Sequence, residues 1–181
     1  TLFTAVNFPS RNNLACHQLL MEKIMIKSPN LMSLAEQAKL FREGKLTAVN
    51  NVKSHLEIIN NLNPQLNSFI TVDSKGALEQ AKNLDKSRNN GDKLGPLSGA
   101  ILGVKDSIPT KDITTTNNSR LLKNWNPKRD ASVISRLKKA GAIIIGKTNL
   151  NEFGWSRPSE LDLNPPPWSP WNSNHMSVGS S

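Results

Sequence analysis

A chain of 181 residues with 36% hydrophobic residues, 5% aromatics and no tyrosine fits one domain or a large piece of one, with a modest core. Its net charge of +9, from 23 basic and 14 acidic residues, raises nucleic acid or an anionic surface as partner, but no run of five like charges occurs and the excess reads as a solvated face. The lone Cys16 and the scattered His17, His55 and His175 exclude an internal disulfide framework and give no metal-ligand spacing, and no stretch is apolar enough to span a bilayer.

Residues 1–30 show no clear period and read as a poorly ordered lead-in, with residues 31–181 as the folded unit. A continuous apolar leader segment is missing from the start, so secretion is not expected. A reducing compartment suits the single cysteine, cytoplasmic first, with a mitochondrial address as the alternative. The first residue is Thr1 rather than Met, which hints at a fragment.

Ser33 and Glu36 form a capping-box pattern ahead of Leu34, Ala38 and Phe41 at helical spacing, with Gly44 as the stop. Thr47 can cap a second helix whose stripe is Val49, Val52, Leu56 and Ile59, with Pro64 past its end. Residues 68–72 are short and β-rich. Asp73 can cap a third helix with Ala77, Ala81 and Leu84 on one face, closed by the loop Asn89-Asn90-Gly91-Asp92.

Residues 101–105, Ile-Leu-Gly-Val-Lys, read as a buried strand ending at Lys105. After a Thr/Asn-rich connection, Asp130 is placed to cap a helix with Val133, Ile134, Leu137 and Ala140 inward, closed by Gly141. Ala142 to Ile145 is a second buried strand, ending at Gly146. Strand, helix, strand in this order predicts a parallel pair. Both strands then finish on one edge of the sheet, where open α/β sheets place their ligand sites. Lys105 and the turn Gly146-Lys147-Thr148-Asn149 should face a common crevice. Beyond Glu152, Pro158, Pro165, Pro166, Pro167 and Pro170 exclude regular elements.

Residues 141–148 match the phosphate-loop pattern GxxxxGK[ST] letter for letter. That mechanism needs a pliant loop whose N–H groups curl round a phosphate. Ala142 and three isoleucines favour an extended strand instead, and Gly141 is better explained as a helix-closing glycine.

Two residues could carry chemistry. Lys105 is a strand-end lysine that is either merely solvated or held dry enough to lose its proton and accept one from a serine hydroxyl. Ser180 lies in the terminal Gly179-Ser180-Ser181, where a floppy polar tail is the plain alternative. Spacing alone lifts neither above its bland reading.

The segment 95–106, Gly-Pro-Leu-Ser-Gly-Ala-Ile-Leu-Gly-Val-Lys-Asp, resembles the stretch that carries the catalytic lysine of amidase-signature enzymes. Residues 110–115, Thr-Lys-Asp-Ile-Thr-Thr, resemble the family's next stretch. Asp130 to Asn149, then Asn151-Glu152-Phe153, is similar to the family's helix–strand–turn. Ser169-Pro170-Trp171-Asn172 and Gly179-Ser180-Ser181 resemble the entry to its Gly/Ser-rich loop. The earlier helices and Leu66 to Ile70 resemble its N-terminal region. Departures are Val178 in place of a glycine, Asn117-Asn118-Ser119 in place of an Ala/Cys-Gly-Ser turn, and Arg157 to Asp162.

The resemblance implies an α/β fold in which N-terminal helices pack on a partial mixed β-sheet, a truncated version of the amidase-signature fold. It implies amide hydrolysis by a Ser-cisSer-Lys mechanism, with Lys105 as the lysine, Ser180 as the bridging cis-serine, and no cofactor. The nucleophilic serine would fall in a second Gly/Ser-rich stretch that these 181 residues do not contain, so the chain by itself is expected to be inactive. A small-molecule amide is the implied substrate, either of a general amidase or of an amidotransferase component. The alternative is a non-catalytic pseudo-enzyme or interaction module, whose cut sheet a protein partner would cover. Direct nucleic-acid binding is the weakest reading, since no aromatics interleave with the basic residues.

Overall fold

The computed structural model describes residues 29–155, 159–160, 162–172 and 174–177. Local signals set the helices. Ser33 caps α1 (Leu34–Arg42) with a complete capping box: its side chain accepts from the Glu36 N–H, and the Glu36 carboxylate accepts from the Ser33 N–H at 2.8 Å. Gly44 closes α1 at φ 72°. Thr47 caps α2 (Ala48–Leu66), and Asp73 caps α3 (Ser74–Asn89) through the Gly76 N–H. Between α2 and α3 runs β1 (Phe69–Val72); β2 (Ile101–Lys105), α4 (Ser132–Lys139) and β3 (Ile143–Thr148) come after α3.

The strands form one mixed sheet of order β1-β3-β2. β2 pairs parallel to β3, with Lys105 opposite Thr148, and β1 pairs antiparallel to β3. Each face has its own core. On one side α1, α2 and α3 pack Phe41, Val52, Leu56, Ala77 and Ala81 against Ile101, Ile143 and Ile145. On the other, Ile134 of α4 meets Val104, Ile144 and Ile113. The expected α/β arrangement of N-terminal helices on a partial mixed sheet is therefore the one observed.

A salt-linked clamp joins the helices on the first face. Asp85 of α3 accepts from the N–H groups of Ala48 and Val49 at 2.9 and 3.1 Å, which satisfies the first turn of α2. Arg88 donates to the carbonyls of Phe41 and Leu46 at 2.9 and 2.8 Å and lies 4.6 Å over the Phe41 ring.

Four local expectations are corrected. Pro64 lies inside α2 rather than beyond it. A proline in the last turn removes one N–H, and the helix still closes through the Asn67 N–H on the Asn63 carbonyl at 2.7 Å, with Asn67 left-handed. Asp130 does not cap α4. The N-cap is Ala131, with no side-chain cap, and Asp130 instead accepts from the Lys111 N–H and pairs with Lys138 at 2.9 Å. Val133, expected inward, is 50% exposed, because a short helix on one small cluster buries only Ile134. The third strand does not end at Gly146 but runs on to Thr148.

The phosphate-loop decoy is disposed of by the same strand. Ile143 to Thr148 is extended and Gly141 sits just past α4 at φ 92°. Beyond residue 155, the described residues contain no helix or strand, only the isolated bridge between Trp168 and Met176. Of the expected lead-in, residues 1–28 lie outside the described residues, and Pro29–Leu31 forms a short 3-10 turn. Among the described residues no helix is long and apolar enough to cross a membrane.

Candidate active site

Lys105 is the last residue of β2 and is half-buried. Side chains alternate along an extended strand. Val104 and Asp106 point to the α4 side, so Lys105 is turned to the other. There it has Thr148 as its cross-strand partner and Gly154 close by: a Cβ added at Gly154 would lie 3.7 Å from the Lys105 Nζ. Immediately after Lys105 the chain turns, and its carbonyl accepts from the Ile108 N–H at 3.0 Å.

The loops around this strand end are knitted by asparagine side chains. Asn118, fully buried and left-handed at φ 53°, donates to the Leu150 carbonyl at 2.7 Å and accepts from the Asn164 N–H at 2.8 Å. Asn117, also left-handed, accepts at its carbonyl from the Phe153 N–H. Asn149 donates to the carbonyls of Asn67 and Pro165 at 2.8 and 2.9 Å. Asparagine tolerates the left-handed region and carries both donors and an acceptor. That is how Asn117-Asn118-Ser119 makes the turn that resembles a glycine-bearing one.

On the opposite side of the strand pair lies a second cation, Lys147, with no exposed surface. Its Nζ donates to the Ile108 carbonyl, to Thr110 Oγ1 at 3.1 Å and to Thr115 Oγ1 at 2.9 Å. The carboxylate of Asp106, equally buried, stands 4.0 Å away. Asp106 Oδ2 accepts from the Thr116 N–H at 2.9 Å, while Oδ1 makes no hydrogen bond and faces the ammonium. Burial pushes the Lys147 ammonium down to about 8 from the ordinary 10.5, against the raising pull of Asp106.

The crevice expected between Lys105 and the turn at residues 146–149 is thus corrected. Gly146, Lys147 and Thr148 belong to β3. Thr148 accompanies Lys105; Lys147 is directed to the other face, where Asp106 neutralises it. Gly146 is pressed against β1, where an added Cβ would meet the Thr71 carbonyl at 2.3 Å. Ser180 lies outside the described residues. The Asp106–Lys147 pair was not foreseen. Its one signal in the sequence is an acid directly after a strand-end lysine, and that signal cannot name the partner.

The Amidase family model matches residues 50–181. Among curated proteins, the A subunit of the glutamyl-tRNA(Gln) amidotransferase of Streptomyces coelicolor is 40% identical over 149 residues, covering 82% of this chain and 30% of the relative. Its counterpart from Salinispora tropica is 36% identical over 148 residues, again 82% and 30%. Among solved structures, the native peptide amidase of Stenotrophomonas maltophilia is 32% identical with a TM-score of 0.64, over 67% of this chain and 25% of that one. A bacterial aryl acylamidase of the amidase signature family shares the fold at a TM-score of 0.76 and 21% identity, over 82% and 31%. The chain spans about 30% of the length of the curated relatives it matches.

Proposed function

The chain belongs to the amidase family, and on that premise we propose that it supplies the lysine of a Ser-cisSer-Lys centre that hydrolyses carbon–nitrogen amide bonds. The observation that carries this reading is Lys105 itself: a half-buried amine at a strand terminus, on the sheet edge where α/β folds gather ligands, beside the left-handed Phe153–Gly154 turn.

In this mechanism the Lys105 amine takes a proton from the bridging serine, Ser180. Ser180 takes one in turn from the nucleophilic serine, whose oxygen attacks the amide carbonyl. The tetrahedral intermediate then collapses, the proton returns through the same relay to the leaving nitrogen, and water releases the acyl group. Lys105 accepts and returns one proton per half-reaction and is never consumed. The 181 residues do not contain a second Gly/Ser-rich stretch, so the acyl-serine step is assigned to residues outside this sequence. The substrate is a small amide, with ammonia release for an amidotransferase as one version of the same chemistry.

A fluorophosphonate probe tests this. No labelling of the 181-residue chain alone is expected. Labelling at Ser180 or Ser181 would overturn the assignment of Ser180 as relay.

A second reading is favoured by the surface. Leu121, Trp155 and Trp171 are 85, 81 and 95% exposed, and β2 is an edge strand among the described residues. Such a surface suits a module that works against a protein partner, whether or not catalysis occurs. A monodisperse monomer that melts cooperatively would count against it.

A further inference from the structure

Asp106 and Lys147 are buried together on the side of the strand pair away from Lys105. We propose that this ion pair is the positioning device for Lys105: Lys147 draws the Asp106 carboxylate inward, and that fixes the neighbouring lysine outward, against Gly154. The proposal rests on the reading of Lys105 as the proton acceptor and names the residues that aim it.

Three links support it. First, side chains alternate along β2, with Val104 toward α4 and Lys105 away from it, and the Asp106 N–H keeps the ladder with β3 for one more step through the Thr148 carbonyl, so an Asp106 held on the α4 side keeps Lys105 on the other. Second, the backbone of Asp106 is pinned on both sides, its N–H to the Thr148 carbonyl at 3.1 Å and its carbonyl to the Asn117 N–H at 3.2 Å. Its side chain adds the Thr116 bond. A buried carboxylate with one oxygen unbonded is costly unless a cation stands near, and among the described residues Lys147 stands 4.0 Å from it. Third, Lys147 also grips the Ile108 carbonyl, while the Ile108 N–H closes on the Lys105 carbonyl. One ammonium therefore holds both the residue after Lys105 and the turn that begins at it. Lys147 cannot act on substrate from its own side of the sheet; it acts through Asp106.

The test is trace acetylation of the 181-residue chain with acetic anhydride. Peptide mass spectrometry would give the rate at Lys105 relative to the exposed Lys53 and Lys82. In Lys147→Met the stranded carboxylate should leave the core, and Lys105 should acetylate several-fold faster while Lys53 and Lys82 do not change. Adding Asp106→Asn removes the charge that needed a partner. It should bring Lys105 back to within about a factor of two of the parent chain, the non-additivity expected of residues in one network.

Should Lys147→Met fail to fold, Asp106→Asn alone carries the test. It leaves the ammonium unpaired, and a selective change at Lys105 is again expected. An unchanged Lys105 rate in a folded variant overturns the proposal, as does a uniform rise at all lysines, which marks general loosening. The readout needs no catalysis. If Lys105 proves dispensable for hydrolysis, the proton-acceptor reading falls while the acetylation pattern still decides the positioning role.

Discussion

Burying an ammonium against a mixed sheet costs free energy that one carboxylate 4.0 Å away returns only in part, and Lys147 sits at about 8 for that reason. The consequence for stability has a definite sign. Between pH 8 and 10.5 the unfolded chain binds more protons at this residue than the folded chain does. Stability contributed by Lys147 therefore rises with pH across that window, by on the order of 3 kcal/mol, and is flat below it. Urea midpoints at both ends of the window check this. The rise should vanish in Asp106→Asn/Lys147→Met, and a parent chain that loses stability over the same window would refute the assignment. At this scale the sequence was legible in one respect. Lys105 could be singled out because a strand pattern ended on it within a segment resembling a known site. The pairing of Asp106 with Lys147, 41 positions apart, arises from strand register, with a shift between Leu102 and Gly103. No local pattern carries a register shift.

Among the elements, contacts between neighbours in the chain were readable and contacts between distant ones were not. Ser33, Thr47 and Asp73 cap as expected because a cap is settled within three or four residues. Asp130 looked identical in sequence but was drawn to Lys138 and to the Lys111 N–H, so a tertiary pairing displaced the local role. The converse case is Asp85, a mid-helix acid of α3 that serves the first turn of α2. Removing it in Asp85→Ala leaves two part-buried N–H groups without their acceptor and should cost about 2 kcal/mol in chemical denaturation. A loss within error would show that water satisfies them. Gly146→Ala probes the sheet: the new methyl would lie 2.3 Å from the Thr71 carbonyl and drive β1 from β3. A loss of about 3 kcal/mol is expected, at the high end for overpacking. A neutral effect would mean that β1 is not seated as described.

For the whole molecule, the two faces of the sheet are unequally covered. Three helices bury one face and a single two-turn helix the other, and large apolar side chains remain in water at Leu121, Trp155 and Trp171. The chain corresponds to about 30% of its curated relatives, and the apolar residues lie along the loops after β2 and β3. Self-association is the expected behaviour in isolation. Leu121→Gln/Trp155→Gln should lower it in light scattering without changing the melting profile; an unchanged association state would place the sticky surface elsewhere. The fold class was legible here because helical and β periods alternate cleanly from residue 33 to residue 148. The uneven coverage was not, since it depends on which helix meets which face.

Lys105 is proposed as the proton acceptor of an amide-hydrolysing centre. The direct measurement is made on a chimera in which this chain replaces the matching segment of the Stenotrophomonas maltophilia peptide amidase. Ammonia release from a peptide amide is compared between Lys105 and Lys105→Ala forms of equal thermal stability. A fall in kcat of about a thousandfold or more is expected, the scale of losing a general base together with its activated nucleophile. A chimera that keeps its kcat within about tenfold after Lys105→Ala, a loss below the usual range for general-base catalysis, would contradict it.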